Sequence, residues 1–65
     1  MRIEINGKTH SVPDACTVRD LIASLAVGGR YAIEVNRDLV PRSTHDRHRL
    51  REGDRVEIVQ AIGGG

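Results

Sequence analysis

An α+β fold, a mixed sheet of four or five strands packed on one helix, follows from three features of the sequence. Stretches of alternating apolar residues lie at both ends of the chain and read as strands. One stretch between them carries apolar residues at helical spacing. The length, 65 residues, suits one domain with one thin core.

In residues 1–5, Met1, Ile3 and Ile5 alternate with Arg2 and Glu4, so one face of the strand is apolar. Asn6-Gly7 is a strong hairpin signal, because both central positions of a type I′ turn need positive φ. Residues 8–12 return as the second strand, and Pro13-Asp14 breaks it. Thr17 reads as a helix N-cap, with Asp20 at the acidic position of a capping box. Val18, Leu21, Ile22 and Leu25 form one apolar stripe, and Gly28-Gly29 is expected to end the helix as a C-terminal cap. Residues 31–35 form a strand, with Tyr31, Ile33 and Val35 on one face. Residues 36–38 turn, and Leu39-Val40 is a short strand stopped at the sheet edge by Pro41. Residues 42–49 have no apolar period and read as a surface loop, anchored by Leu50. Glu52-Gly53-Asp54 turns into the last strand, residues 55–61, with Val56 and Ile58 inward.

The first and last strands are the longest apolar ones. Placing them side by side and parallel at the sheet centre buries the most apolar area, and the chain between them is long enough for the crossover. That arrangement is a β-grasp. The domain is expected over residues 1–61, with residues 62–65 as a flexible tail.

Tyr31 is the only aromatic residue, so the core is aliphatic. Cys16 is the only cysteine, which rules out an internal disulfide and suits a reducing, cytoplasmic setting. No apolar run approaches the roughly 20 residues of a membrane span, so no membrane partner is expected. A net charge of +1 does not argue for nucleic acid.

Few side chains offer chemistry. Cys16 precedes a helix start, where a thiolate is favoured, but a free cysteine more often packs as a small apolar residue. His45-x-x-His48 lacks the second ligand pair of a structural zinc site, and His10 is remote in sequence, so no metal is expected. Arg42, Arg47, Arg49, Arg51 and Arg55 interleave with Asp46, Glu52 and Asp54. Without stacking aromatics, they read as a solvated surface that can meet an acidic partner rather than a nucleic-acid face. No catalytic set of its own can be assembled, so the chain reads as no enzyme.

What remains is the tail: Ile62, Gly63, Gly64 and Gly65, directly after an apolar strand. It can extend about 13 Å at roughly 3.3 Å per residue. Lacking Cβ atoms, its glycines fit a narrow channel. A body that is recognised and a thread that presents its own carboxylate is the logic of a carrier.

These residues resemble the ThiS-type sulfur carriers of thiamine biosynthesis, β-grasp proteins related in fold to ubiquitin. The resemblance covers nearly the whole chain. It rests on the first strand with NG, on TVRDLIASL, AIEVNRDLVPR and LREGDRVEIV, and on the terminal Gly64-Gly65. The family needs two terminal glycines, so Gly63 is surplus. The resemblance implies that the Gly65 carboxylate is adenylated by a ubiquitin-activating-like enzyme that uses ATP. A persulfide derived from cysteine then converts it to a thiocarboxylate, and thiazole synthase consumes that sulfur. Ile62, Gly63 and Gly64 would enter the partner active site, the chain would bind no cofactor, and it would be monomeric when free. Two related β-grasp classes remain open on sequence: the small subunit of molybdopterin synthase, and the RNA-associated domains of aminoacyl-tRNA synthetases. A protein modifier joined through Gly65 is a third alternative.

Overall fold

The structure is a computed structural model, and it describes residues 1–60. Strands β1 (Arg2–Ile5) and β2 (Lys8–Ser11) form a hairpin through Asn6-Gly7. Both turn residues have positive φ, 50° and 83°, as the turn requires. Helix α1 (Val18–Ser24) follows, then β3 (Tyr31–Val35), β4 (Asp38–Leu39) and β5 (Arg55–Gln60). The sheet order is β2-β1-β5-β3-β4. β5 runs parallel to β1 and antiparallel to β3 in the middle of the sheet, as expected from burial.

The start of α1 follows the sequence closely. The Thr17 hydroxyl accepts from the Asp20 amide, and the Asp20 carboxylate accepts from the Thr17 amide, both at 3.1 Å. Two further amides at this end, Val18 and Arg19, donate to the carbonyls of His48 and His45. The loop before β5 therefore satisfies donors that a helix leaves open.

The end of α1 differs from the expectation. The helix stops before Gly28-Gly29, with Leu25 as C-cap and Ala26 in the left-handed region at φ 54°. The Ala26 amide donates to the Ala23 carbonyl and the Val27 amide to the Ile22 carbonyl. This is a Schellman ending with alanine in the position glycine prefers. Leu25, expected on the buried stripe, is exposed, and Val27 packs against the core in its place.

Val18, Leu21 and Ile22 of α1 share one core with Ile3, Ile5, Ile33, Val35 and Val56 of the sheet. Cys16, Val40 and Leu50 close its margin. The short strand is Asp38–Leu39, one residue earlier than expected: Leu39 faces solvent and Val40, just beyond it, is buried. Asn36 and Arg37 both have positive φ, so this connection is a second two-residue hairpin turn.

The asparagines of both turns bind the central strand. Asn6 accepts from the Ile58 amide at 2.8 Å and donates to its carbonyl at 3.2 Å. Asn36 accepts from the Arg55 amide at 2.9 Å through its side chain. Residues 42–49 depart from a plain surface loop: Arg42–Thr44 is a 3-10 turn and His45 is buried.

Candidate functional site

β5 carries the chain toward the tail, so the surroundings of its last residues define the candidate site. Tyr31 pairs with Gln60 and Ala32 with Val59. The Gln60 side chain donates to the Gly28 carbonyl at 3.3 Å and ties the end of the strand to the loop after α1. Arg30, Tyr31, Ala32, Val59 and Gln60 line an open groove of about 270 Å³ here. Val59 is 65% exposed on the sheet face away from α1, with Ala32 exposed beside it. The site residues expected from sequence, Ile62, Gly63, Gly64 and Gly65, lie outside the described residues, as does the domain boundary after residue 61.

The other candidates are distributed as follows. Cys16 is buried, and its thiol donates to the Thr17 carbonyl at 3.4 Å. Burial, and secondarily the Asp20 carboxylate, push the thiol above its ordinary value, away from the thiolate a nucleophile needs. His45 and His48 do not converge with His10 or Cys16: among the described residues no three His, Cys, Asp or Glu side chains gather as metal ligands. Among the described residues no helix is long and apolar enough to cross a membrane. Arg49 and Arg51 line one cleft with Asp54, and Arg42 lines another. Arg55 pairs with Glu4 at 3.2 Å across the outer sheet face, and Arg42 folds over Tyr31 with its guanidinium carbon 4.5 Å from the ring centre.

One cluster was missed from sequence. His45, only 7% exposed, donates from Nε2 to the Val40 carbonyl at 3.1 Å. A carbonyl can only accept, so in the neutral ring Nδ1 accepts from the Tyr31 hydroxyl, 3.3 Å away. Only the rarity of Tyr31 hinted at this, because its partners lie 11 and 14 residues further along the chain.

The sequence model of the ThiS family matches residues 2–65. The chain belongs to the ThiS family. The crystal structure of the thiamine biosynthesis protein (ThiS) from Geobacter metallireducens is similar to it throughout, with 30% identity, a TM-score of 0.82 and both chains covered in full. The β-grasp expectation and the family resemblance are thereby borne out. Two curated relatives, each named thiazole synthase, come from Paramagnetospirillum magneticum and Magnetococcus marinus. They are 38% and 35% identical to this chain over 66 residues. All of this chain is covered in both alignments but only 20% of each relative, so it spans one fifth of their length.

Proposed function

We propose that this ThiS-family chain is a sulfur carrier for thiamine biosynthesis, a protein co-substrate rather than an enzyme. The family match over residues 2–65 carries the reading, because it includes the glycines as well as the folded body. The names of the similar proteins, a thiamine biosynthesis protein and two thiazole synthases, support the thiamine reading over the molybdenum-cofactor one.

In the proposed sequence a partner adenylating enzyme joins the Gly65 carboxylate to AMP from ATP, releasing pyrophosphate. The terminal sulfur of a cysteine-derived persulfide attacks the acyl carbon, and AMP leaves with the bonding electrons. A thiol reductant then cleaves the sulfur–sulfur bond and leaves a thiocarboxylate on Gly65. Thiazole synthase takes that sulfur into the ring. The chain itself binds no cofactor. Its contribution is a rigid body for recognition and a terminus without side chains that passes a narrow opening. The setting proposed is the cytoplasm, where ATP and reduced thiols are at hand.

Sulfur tracing tests this. Labelled cysteine is supplied with ATP, the adenylating enzyme, a persulfide-forming enzyme, thiazole synthase and the synthase's other substrates. Label should enter the thiazole only when the chain is present. Equal labelling without it contradicts the carrier reading.

A further inference from the structure

We propose that the cleft between Arg19 and Arg42 binds a phosphate monoester. The cleft is built from described residues alone and does not depend on the carrier reading. Its volume is about 380 Å³, and Arg19, Tyr31, Arg42, Ser43, His45 and Asp46 line it.

Its floor is fixed by the cluster already described. His45 is buried and partnered at both ring nitrogens, and it holds the Tyr31 hydroxyl. The Tyr31 ring in turn supports the Arg42 guanidinium, whose Nη2 donates to the Gly29 carbonyl at 3.2 Å. Arg42 is therefore oriented before any ligand arrives, and most of its N–H donors are unused among the described residues. Arg19 lines the same cleft, and its backbone amide donates to the His45 carbonyl at 3.0 Å.

The charges do not cancel internally. The ion pairs among the described residues are Met1 with Asp14 and Arg55 with Glu4, so neither Arg19 nor Arg42 is paired. Asp46 shares the cleft without pairing with either. Two arginines and Ser43 thus share the cleft with one acidic residue, Asp46. A guanidinium fork matches two oxygens of a phosphate, and two forks match a dianion better than the single charge of a carboxylate. Asp46 repels a bare anion but accepts a hydrogen bond from a hydroxyl beside the phosphate. The ligand chemistry is therefore a phosphate monoester of a hydroxylated carbon skeleton, free or as part of a nucleotide.

The test is an amide chemical-shift titration of the full chain with ribose 5-phosphate, AMP, inorganic phosphate and glutarate. Ribose 5-phosphate should shift the Arg19, Ser43 and Asp46 amides saturably, more tightly than inorganic phosphate or glutarate. Tighter binding of AMP assigns the phosphate to a nucleotide, and equal or weaker binding to a simpler ester. Arg19→Gln and Arg42→Gln should each weaken binding about tenfold, as expected for loss of one charge-assisted contact. Arg37→Gln, in the remote turn after β3, should leave it unchanged. Arg19 is exposed on α1, so its variant remains a fair test even if Arg42→Gln perturbs the loop. Non-saturating shifts, equal binding of glutarate, or equal weakening by Arg37→Gln would overturn the proposal.

Discussion

Replacing Ala26 by glycine removes a methyl group and should make the protein more stable. Ala26 sits at φ 54°, in the position that closes the Schellman ending of α1. Two hydrogen bonds, Ala26 amide to Ala23 carbonyl and Val27 amide to Ile22 carbonyl, hold it there at 3.2 and 3.3 Å. The left-handed conformation costs an L-residue about 1–2 kcal/mol. Glycine escapes that strain but loses more unfolded-state entropy on folding, about 0.4–1 kcal/mol. Ala26 is exposed, so little apolar burial is lost. The net expectation is a gain of about 0.5–1 kcal/mol, or a melting temperature raised by roughly 2–8 °C for a domain this small. Ala23→Gly provides the internal control. That residue is exposed within the helix, so the same change should lower stability by about 0.5–1 kcal/mol. Thermal unfolding of the two variants beside the parent decides the matter. If Ala26→Gly leaves the midpoint unchanged or lowers it, the account of how this helix ends is wrong.

Leu21→Ala should destabilise by about 2–5 kcal/mol, because Leu21 is 1% exposed at the centre of the helix–sheet contact. Urea unfolding reads this directly, and a loss below about 1 kcal/mol would mean the core collapses into the gap. Asp20 carries a pH dependence. Its carboxyl lies below the ordinary 3.8, chiefly through the hydrogen bond from the Thr17 amide and then through the Thr17 hydroxyl. Its stabilisation is thus complete above that ordinary value and is lost as acid protonates it in the folded protein. Asp20→Asn should therefore flatten the fall in stability below about pH 4, and an unchanged acid limb would refute the capping account. Cys16→Ser should accept sulfur at its terminus as the parent does, since the thiol is buried and held protonated. Failure of that variant to load, with its fold intact, would place the thiol in the chemistry.

Much of the fold could be read wherever local chemistry decides it. Asn6-Gly7 names its own turn, and Thr17 with Asp20 names its own cap. The parallel centre followed from burial, because pairing the two apolar end strands buries the most apolar area. The helix end was misplaced because hydrogen bonding, not composition, put alanine in a glycine conformation, with Gly28-Gly29 close by as a distraction. Val40 was taken for a strand residue; it lies just past β4, where its amide still donates to the Ile33 carbonyl at 2.9 Å and its side chain is buried. His45 lay in a stretch without apolar period, and nothing local signals that its ring will bridge Tyr31 and Val40. The proposed site divides in the same way. The glycine tail could be proposed from sequence because the chemistry proposed for it belongs to the main chain, whereas the Arg19–Arg42 cleft exists only through tertiary contacts.

The most direct measurement is the intact mass of the chain after incubation with ATP, its adenylating enzyme and a persulfide donor, followed by fragmentation of the tail peptide. The account predicts the mass change of one oxygen replaced by one sulfur, confined to Gly65. It predicts a slower gain in Gly64→Ala, where a Cβ narrows the fit of the backbone. It predicts no gain when one residue is added after Gly65, because the carboxylate then leaves its register with the nucleotide. A parent chain that gains no sulfur beside a competent enzyme, or an extended chain that gains it as readily, would contradict the claim that Gly65 is the carrier.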